Sequence, residues 1–299
     1  SRRGIRLALD CPGGRLLDTG SGRLITPGAG VTGRVMDTGD AVETGAPSTV
    51  RDVISRTHRR EGLALVAPER VTDFGAREFA TGVWKAANLF THYGVGDGRP
   101  LAVAVGPKAP PPDGDPGWLG TASDPLFALL GGMCLGAPVD PAPDPSAAVE
   151  APVLVAPTAW LDRFEVSAGT TEVAYGEPPD DPAVGHFERE RWSENPIEPP
   201  EPLEPERLAL RVGERDITHR ELVALATEVV DTNDLETVDR VRVAARVDSA
   251  TRFVAGVLAP LLAGTPIRPV PDADEGDVER GVFAVAGSER HRLSVEDGT

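Results

Sequence analysis

The sequence predicts an α/β fold built from repeated parallel βαβ units. The order strand–helix–strand–helix–strand occurs twice, and the second copy repeats letters of the first. FALLGGMCLGAPVDPAPD at 127–144 matches VAGVLAPLLAGTPIRPVPD at 254–272, and FGAREFATGVWKAA at 74–87 matches ITHRELVALATEVV at 217–230. Short apolar strands that alternate with helices are typical of parallel sheets with right-handed crossovers.

The first copy is bounded by residues that start or stop helices. Its predicted elements are, in chain order, a helix over 48–60, a strand over 63–67, a helix over 75–93, a strand over 101–105, a helix over 124–135 and a short strand from Pro138. Ser48 is a candidate N-cap for the first helix, and Thr72 or Asp73 for the second. Gly136 ends the third.

The second copy follows the same order. Its predicted elements are a strand over 208–212, a helix over 218–230, a strand over 241–245, a helix over 251–263 that Gly264 closes, and a strand over 266–270. Residues 176–206, between the copies, are rich in Pro and Glu, which predicts an extended surface linker without regular structure.

The predicted organisation has four segments. They are a small antiparallel β unit at 1–48, a first α/β subdomain at 49–150, short strands with the Pro/Glu-rich linker at 151–206, and a second α/β subdomain at 207–299.

The charge balance excludes several classes of partner. The chain contains 30 Lys and Arg but 47 Asp and Glu, which gives a formal net charge of −17. Such a surface repels nucleic acid and anionic membranes, so neither is an expected partner. Lysine occurs only at Lys85 and Lys108, and this composition resembles that of proteins from extreme halophiles such as haloarchaea. The alternative is an ordinary acidic protein from a GC-rich genome.

Cysteine content and the start of the chain predict a cytoplasmic protein. Two cysteines are too few for a disulfide framework or a cysteine zinc site. The chain opens without a charged and apolar signal segment.

The short motifs in the sequence indicate no specific catalytic, metal-binding or phosphate-binding site. Asp18-Thr19-Gly20 and Asp37-Thr38-Gly39 resemble the paired triplets of aspartic proteases, but their spacing leaves no room for a lobe around each. The five histidines form no metal-binding spacing and are expected to face solvent, so no metal is assigned. Ser167–Thr171 imitates a phosphate cradle but lacks a lysine, and a polar turn between strands is the favoured interpretation.

Four stretches at 49–106, 124–144, 217–230 and 239–272 together resemble the N-terminal part of the adenylate-forming superfamily. That superfamily contains acyl-CoA synthetases, peptide-synthetase adenylation domains and firefly luciferase. The resemblance implies a phosphate loop of the form TSGTTGxPKG between Leu210 and Thr218.

This sequence departs from the family at that loop. Residues 211–217 are shorter, lack lysine and carry two acids. The family's later adenine and magnesium motifs and its C-terminal catalytic lysine have no counterpart, so we expect a truncated, degenerate relative without adenylating activity, cofactor or catalytic residues. A binding, regulatory or scaffolding role is expected, with an acyl-CoA synthetase or another protein as partner. The oligomeric state is not predicted.

The alternative is a small-molecule-binding protein or enzyme with a pocket at the carboxyl ends of its strands. A ligand would then bind at Thr218, His219 and Arg220, because a helix N-terminus offers free N–H groups. The competing interpretation is that Thr218 only caps the helix, with Glu221 completing a capping box.

Overall fold

The computed structural model describes residues 45–244, 246–270 and 282–286. The β unit predicted for 1–48 lies almost wholly outside them. All elements below belong to one compact unit, Pro47–Arg292.

The described helices are α1 Val50–His58, α2 Ala76–His92, α3 Asp124–Cys134, α4 Phe187–Ser193, α5 His219–Asn233, α6 Ala250–Phe253 and α7 Ala259–Ala263. The described strands are β1 Leu63–Leu65, β2 Phe74–Gly75, β3 Leu101–Val103, β4 Val139–Asp140, β5 Val153–Pro157, β6 Thr171–Tyr175, β7 Gly185–His186, β8 Leu208–Val212, β9 Arg215–Thr218, β10 Arg240–Ala244, β11 Ile267–Pro269 and β12 Val282–Ala286.

The strands form two mostly parallel sheets. One has seven strands in the order β7-β6-β5-β3-β4-β8-β9, and the other has five in the order β12-β10-β11-β1-β2. Among the described strands, only the β1–β2 and β8–β9 pairs are antiparallel. The predicted α/β class with repeated parallel units is therefore confirmed.

The two copies exchange their first hairpins. The β1–β2 hairpin precedes the first copy's β3-α3-β4 unit, yet β1 pairs with β11 of the second copy, Leu65 opposite Ile267. In return β8, which opens the second copy, pairs with β4 of the first, Val139 opposite Leu210. Each sheet is thus completed by a hairpin from the other copy.

Helices α2 and α3 meet at small residues in the main core. A Cβ at Gly82 would lie 2.6 Å from the Phe127 ring, and a Cβ at Gly131 would lie 2.8 Å from that of Ala86. The Phe127 ring in turn packs 5.3 Å from the Phe79 ring. Glycine at these positions allows the two helices to approach closely.

Several predicted boundaries were wrong. The N-cap of α1 is Thr49, in a capping box with Asp52, because the Ser48 hydroxyl and amide instead bond to the Asp52 carboxylate. The N-cap of α2 is Gly75 rather than Thr72 or Asp73, and it makes no side-chain cap bond because glycine has no side chain. The helix predicted at 251–263 contains a π-helical turn between α6 and α7.

The segment 176–206 is also more ordered than predicted. It contains β7 and α4, because its dense proline run begins only at Pro196. The ring of Phe187 is fully buried and stacks 5.8 Å from that of Phe90, which holds α4 against α2.

Candidate functional site

The N-terminus of α5 is closed by the protein's own groups. The amide of His219 donates to the Arg207 carbonyl at 3.0 Å, and that of Arg220 to the Pro205 carbonyl at 2.8 Å. The amide of Glu221 donates to the Thr218 hydroxyl at 3.2 Å. The N–H groups of the first turn therefore all have acceptors within the chain, and none is directed to a ligand.

Thr218 is the N-cap of α5. The Glu221 carboxylate accepts a hydrogen bond from the Thr218 amide at 2.8 Å, which completes the capping box. This bond holds the pKa of Glu221 below its usual value. A carboxylate thus occupies the place where an anion would bind.

Arg220 faces solvent but has a partner. Its guanidinium bonds to Glu206 through Nε at 3.0 Å and also through Nη2. The bond from Arg220 lowers the pKa of Glu206. Arg220 therefore serves to attach α5 to the segment before β8.

His219 is buried, contrary to the expectation that the histidines face solvent. Its Nδ1 accepts a hydrogen bond from the Val50 amide at 3.3 Å. Burial, with a contribution from Arg51, lowers the pKa of His219 to about 4. The signal was present in the sequence, because Leu222, Val223 and Ala226 follow at three, four and seven positions on the same helix face.

The phosphate loop implied by the resemblance is replaced by a tight hairpin. Val212 pairs with Arg215, so only Gly213 and Glu214 connect β8 to β9. Gly213 has φ +58°, the left-handed conformation that glycine allows. The Arg211 guanidinium is held by Asp216 at 2.7 and 3.2 Å. Neither the length nor the charge of this turn suits a phosphate group.

A charge cluster, the edge network, lies at the carboxyl end of the seven-stranded sheet around the buried Asp124. It consists of Lys108, Asp124, Glu188 and Arg191. Lys108 Nζ lies 2.8 Å from Asp124 Oδ2 and 3.5 Å from Glu188 Oε1, and Arg191 Nη2 lies 3.3 Å from Asp124 Oδ1. The Asp124 side chain is only 3% exposed.

Neighbouring groups complete the edge network. The Gly176 amide donates to Glu188 Oε1 at 2.9 Å, and His186 Nε2 lies 3.4 Å from Glu188 Oε2. Burial, reinforced by Asp124, raises the pKa of Glu188. The Ser123 amide and hydroxyl donate to Glu69 at 2.9 and 2.7 Å, which closes the start of α3.

The edge network fills the place where open α/β sheets bind ligands. At this place Lys108 and Arg191 are already paired with carboxylates of the same chain. Sequence reasoning missed this network because Glu188 and Arg191 lie on α4, within the predicted linker. Its one visible signal was Lys108, one of only two lysines, shortly after β3.

An open groove of about 430 Å³ lies between α1 and residues 198–203. Its wall includes Arg51, whose guanidinium bonds to the carbonyls of Cys134, Pro199 and Glu201. Arg51 therefore ties the proline-rich segment to the end of α3 rather than facing a ligand.

The segment Ser167–Thr171 contains a turn, in agreement with the favoured interpretation. In this turn the Thr170 amide donates to the Ser167 carbonyl at 3.0 Å.

In the part of the chain that the structure describes, His, Cys, Asp and Glu side chains form no group of three that could hold a metal ion. None of its helices is both long and apolar enough to cross a membrane.

Comparison with solved structures shows the fold. The N-terminal domain of FACL13 from Mycobacterium tuberculosis superposes with a TM-score of 0.58 at 13% identity, covering 76% of this chain and 58% of that one. The anthranilate CoA ligase AuaEII in complex with anthranoyl-AMP gives 0.57 at 16%, covering 75% and 45%. An acyl-CoA synthetase of Brucella canis gives 0.54 at 16%, covering 80% and 43%.

The chain therefore has the fold of the N-terminal domain of acyl-CoA synthetases and related adenylate-forming enzymes. It spans less than two thirds of the length of these structures. No protein-family model and no curated protein matches the sequence.

Proposed function

We propose that this chain is a non-adenylating protein with the acyl-CoA synthetase N-terminal fold, and that it acts by binding a protein partner. The observation that carries the proposal is the β8–β9 hairpin with the closed start of α5. Adenylation requires donors and cations that neutralise ATP phosphates. Here Glu214 lies in the turn and Asp216 follows it on β9, and the first-turn amides of α5 already have acceptors.

The edge network supports the same proposal. A ligand pocket at the carboxyl ends of the strands needs unfilled space and polar groups free to bind. Lys108 and Arg191 instead face Asp124, and Glu69 closes the start of α3. The residues at these positions therefore do not suit the binding of ATP or Mg²⁺.

Exposed apolar side chains favour a protein partner. Trp192 is 81% exposed and Ile197 is 61% exposed, both on the segment that α2 holds in place. Exposed apolar side chains on a backbone held by hydrogen bonds suit a protein-binding surface. The acidic composition fits a halophilic cytoplasm, where salt screens the self-repulsion of the chain.

ATP–pyrophosphate exchange tests this function. We expect purified protein to show no exchange above a no-protein blank with a panel of fatty, aryl and amino acids, in low and in high KCl. Exchange that depends on one of these acids and on the folded protein would overturn the proposal.

A further inference from the structure

The chain between α4 and β8 contains a run of regularly spaced prolines. They recur at every third position, at Pro196, Pro199, Pro202 and Pro205. A polyproline II chain has about three residues per turn, and P-x-x-P spacing is typical of segments that other proteins recognise in an extended form. We call residues 196–202 the proline ridge; they lie in neither a helix nor a strand.

The outer side of the proline ridge is apolar. Pro196, Pro200 and Pro202 are exposed and Ile197 is 61% exposed, whereas Pro199 is buried. The open groove of about 430 Å³ beside α1 also runs along Pro200 and Pro202. A side chain of a partner therefore has room to approach these two prolyl rings from the groove.

Hydrogen bonds from two helices hold the backbone of the proline ridge. Asn88 Nδ2 on α2 donates to the Ile197 carbonyl at 2.9 Å. The guanidinium of Arg51 on α1, which is itself buried, donates to the Pro199 carbonyl at 3.3 Å and also to the Glu201 carbonyl. Because the backbone is already fixed in an extended path, little ordering entropy is lost when a partner covers it.

A partner cannot bind the proline ridge by adding a β-strand. Strand addition needs N–H groups at positions two apart, because alternate residues of an extended chain face the same edge. Within 196–202 only Ile197, Glu198 and Glu201 have an N–H group, and no two of them are two positions apart. The prolines therefore exclude a hydrogen-bonded ladder on either edge of the segment.

The proline ridge instead offers hydrogen-bond acceptors. No described residue donates to the carbonyls of Pro196, Glu198, Pro200 or Pro202, although Asn88 or Arg51 holds the carbonyls between them. A partner must therefore supply donors next to surfaces that cover prolyl rings. Tyrosine and tryptophan side chains combine an aromatic ring with an O–H or N–H donor, so they meet both requirements.

We infer that the proline ridge docks into an aromatic groove of a partner protein that recognises extended proline-rich chains. Tyrosine or tryptophan rings of the groove would cover Ile197, Pro200 and Pro202, and their O–H or N–H groups would donate to the free carbonyls. This docking mode does not depend on the net charge of either surface. Because it names the partner's chemistry, it rests on the proposed function.

Titration of the full chain with isolated proline-recognition domains tests this docking mode. The probes are SH3, WW and EVH1 domains, each with a matched variant in which an aromatic residue of the groove is replaced by alanine. Binding is followed by calorimetry in the lowest KCl concentration that keeps the folded circular dichroism spectrum. We expect at least one parent domain to bind saturably and its groove variant to lose that binding.

Variants of the chain localise the binding. Pro200→Ala and Pro202→Ala are each expected to weaken it by about tenfold or more, a change of about 1.4 kcal/mol, because each loses a ring that the groove covers. The matched control is Pro112→Ala, an exposed proline in the loop between β3 and α3, where the neighbouring Pro111 carbonyl already accepts from Trp160 Nε1 at 2.8 Å. The control is expected to bind like the parent, and thermal melts verify that every variant folds.

Several results would overturn the inference. They are no binding of the parent chain by any probe domain, equal loss in Pro112→Ala, and undiminished binding by the groove variants. Self-association of the chain that Pro200→Ala abolishes would also overturn it, because a second copy would then be the occupant. Failure of domain binding with no pyrophosphate exchange would refute only the proline ridge, whereas exchange would refute the proposed function itself.

Discussion

His219 shows how one buried side chain links two parts of the chain. It lies at the start of α5, and its ring accepts a hydrogen bond from the first residue of α1. The neutral ring is required for this bond, because a protonated imidazole has no acceptor. Acid should therefore weaken the contact between these two helices.

His219 makes a testable contribution to acid stability. The folded pKa of about 4 lies below the ordinary 6.5, so its contribution is complete above pH 6.5 and is lost as pH falls toward 4. The shift corresponds to about 3 kcal/mol. Urea unfolding from pH 7 to pH 4 should show a smaller acid loss for His219→Leu than for the parent.

The same experiment has a matched control. The His92 side chain is 68% exposed, and its Nε2 lies 3.5 Å from Glu194 Oε2 just after α4. His92→Leu should retain the acid loss of the parent. An acid loss in His219→Leu as large as in the parent would contradict the assignment.

The roles of some residues could be predicted from the sequence, and the roles of others could not. The role of Thr218 as a cap with Glu221 was visible, because capping depends on neighbours three positions apart. Burial of His219 depended on α1, 169 positions away in the chain, and only the apolar spacing along α5 hinted at it. Partners distant in sequence are invisible to local patterns.

At the scale of elements, α4 is held by charge as well as by packing. The Arg191 guanidinium lies 4.3 Å from the centre of the Phe127 ring and pairs with Asp124. Burial lowers the pKa of Arg191, so a buried positive charge depends on this carboxylate. The start of α3 and helix α4 are therefore coupled.

Asp124→Asn should destabilise the protein by about 3–5 kcal/mol, because it leaves Arg191 buried without its counter-charge. Asp216→Asn is the control, since Asp216 and Arg211 form an exposed pair of the kind that contributes only about 0–1 kcal/mol. Urea unfolding at constant KCl measures both. Similar losses in the two variants would show that the edge network does not hold α4.

Elements with a strong local pattern were predicted well. The strand at 208–212 coincides with β8, and Gly264 ends α7 in the left-handed conformation as expected. Helix α4 was not predicted, because the nearby prolines led us to expect an extended linker in its place. Its stability comes from Phe187 and the edge network, which the sequence does not reveal.

At the scale of the whole molecule, the repeat was visible but the exchange of hairpins was not. Similar letters at 74–87 and 217–230 identify α2 and α5 as equivalent helices. Which sheet each hairpin joins depends on pairings such as Leu65 with Ile267, 202 positions apart, or Val139 with Leu210. Local patterns predict the units and not their assembly.

The net charge of −17 predicts a stability that depends on salt. At low ionic strength the carboxylates repel one another, and the Debye length falls to about 3 Å at 1 M salt. The melting temperature should rise between about 0.1 and 3 M KCl. Sucrose, which does not screen charge, should raise it less; an unchanged or lower melting temperature in KCl would contradict the halophilic proposal.

Calorimetric titration with ATP and Mg²⁺ tests most directly the claim that this fold is not used for adenylation here. With the β8–β9 hairpin and the start of α5 closed, we predict no saturable binding and no increase in melting temperature at millimolar ATP. Saturable binding of ATP that Arg220→Glu weakens would contradict it, because a nucleotide would then occupy the very helix start that the structure shows closed.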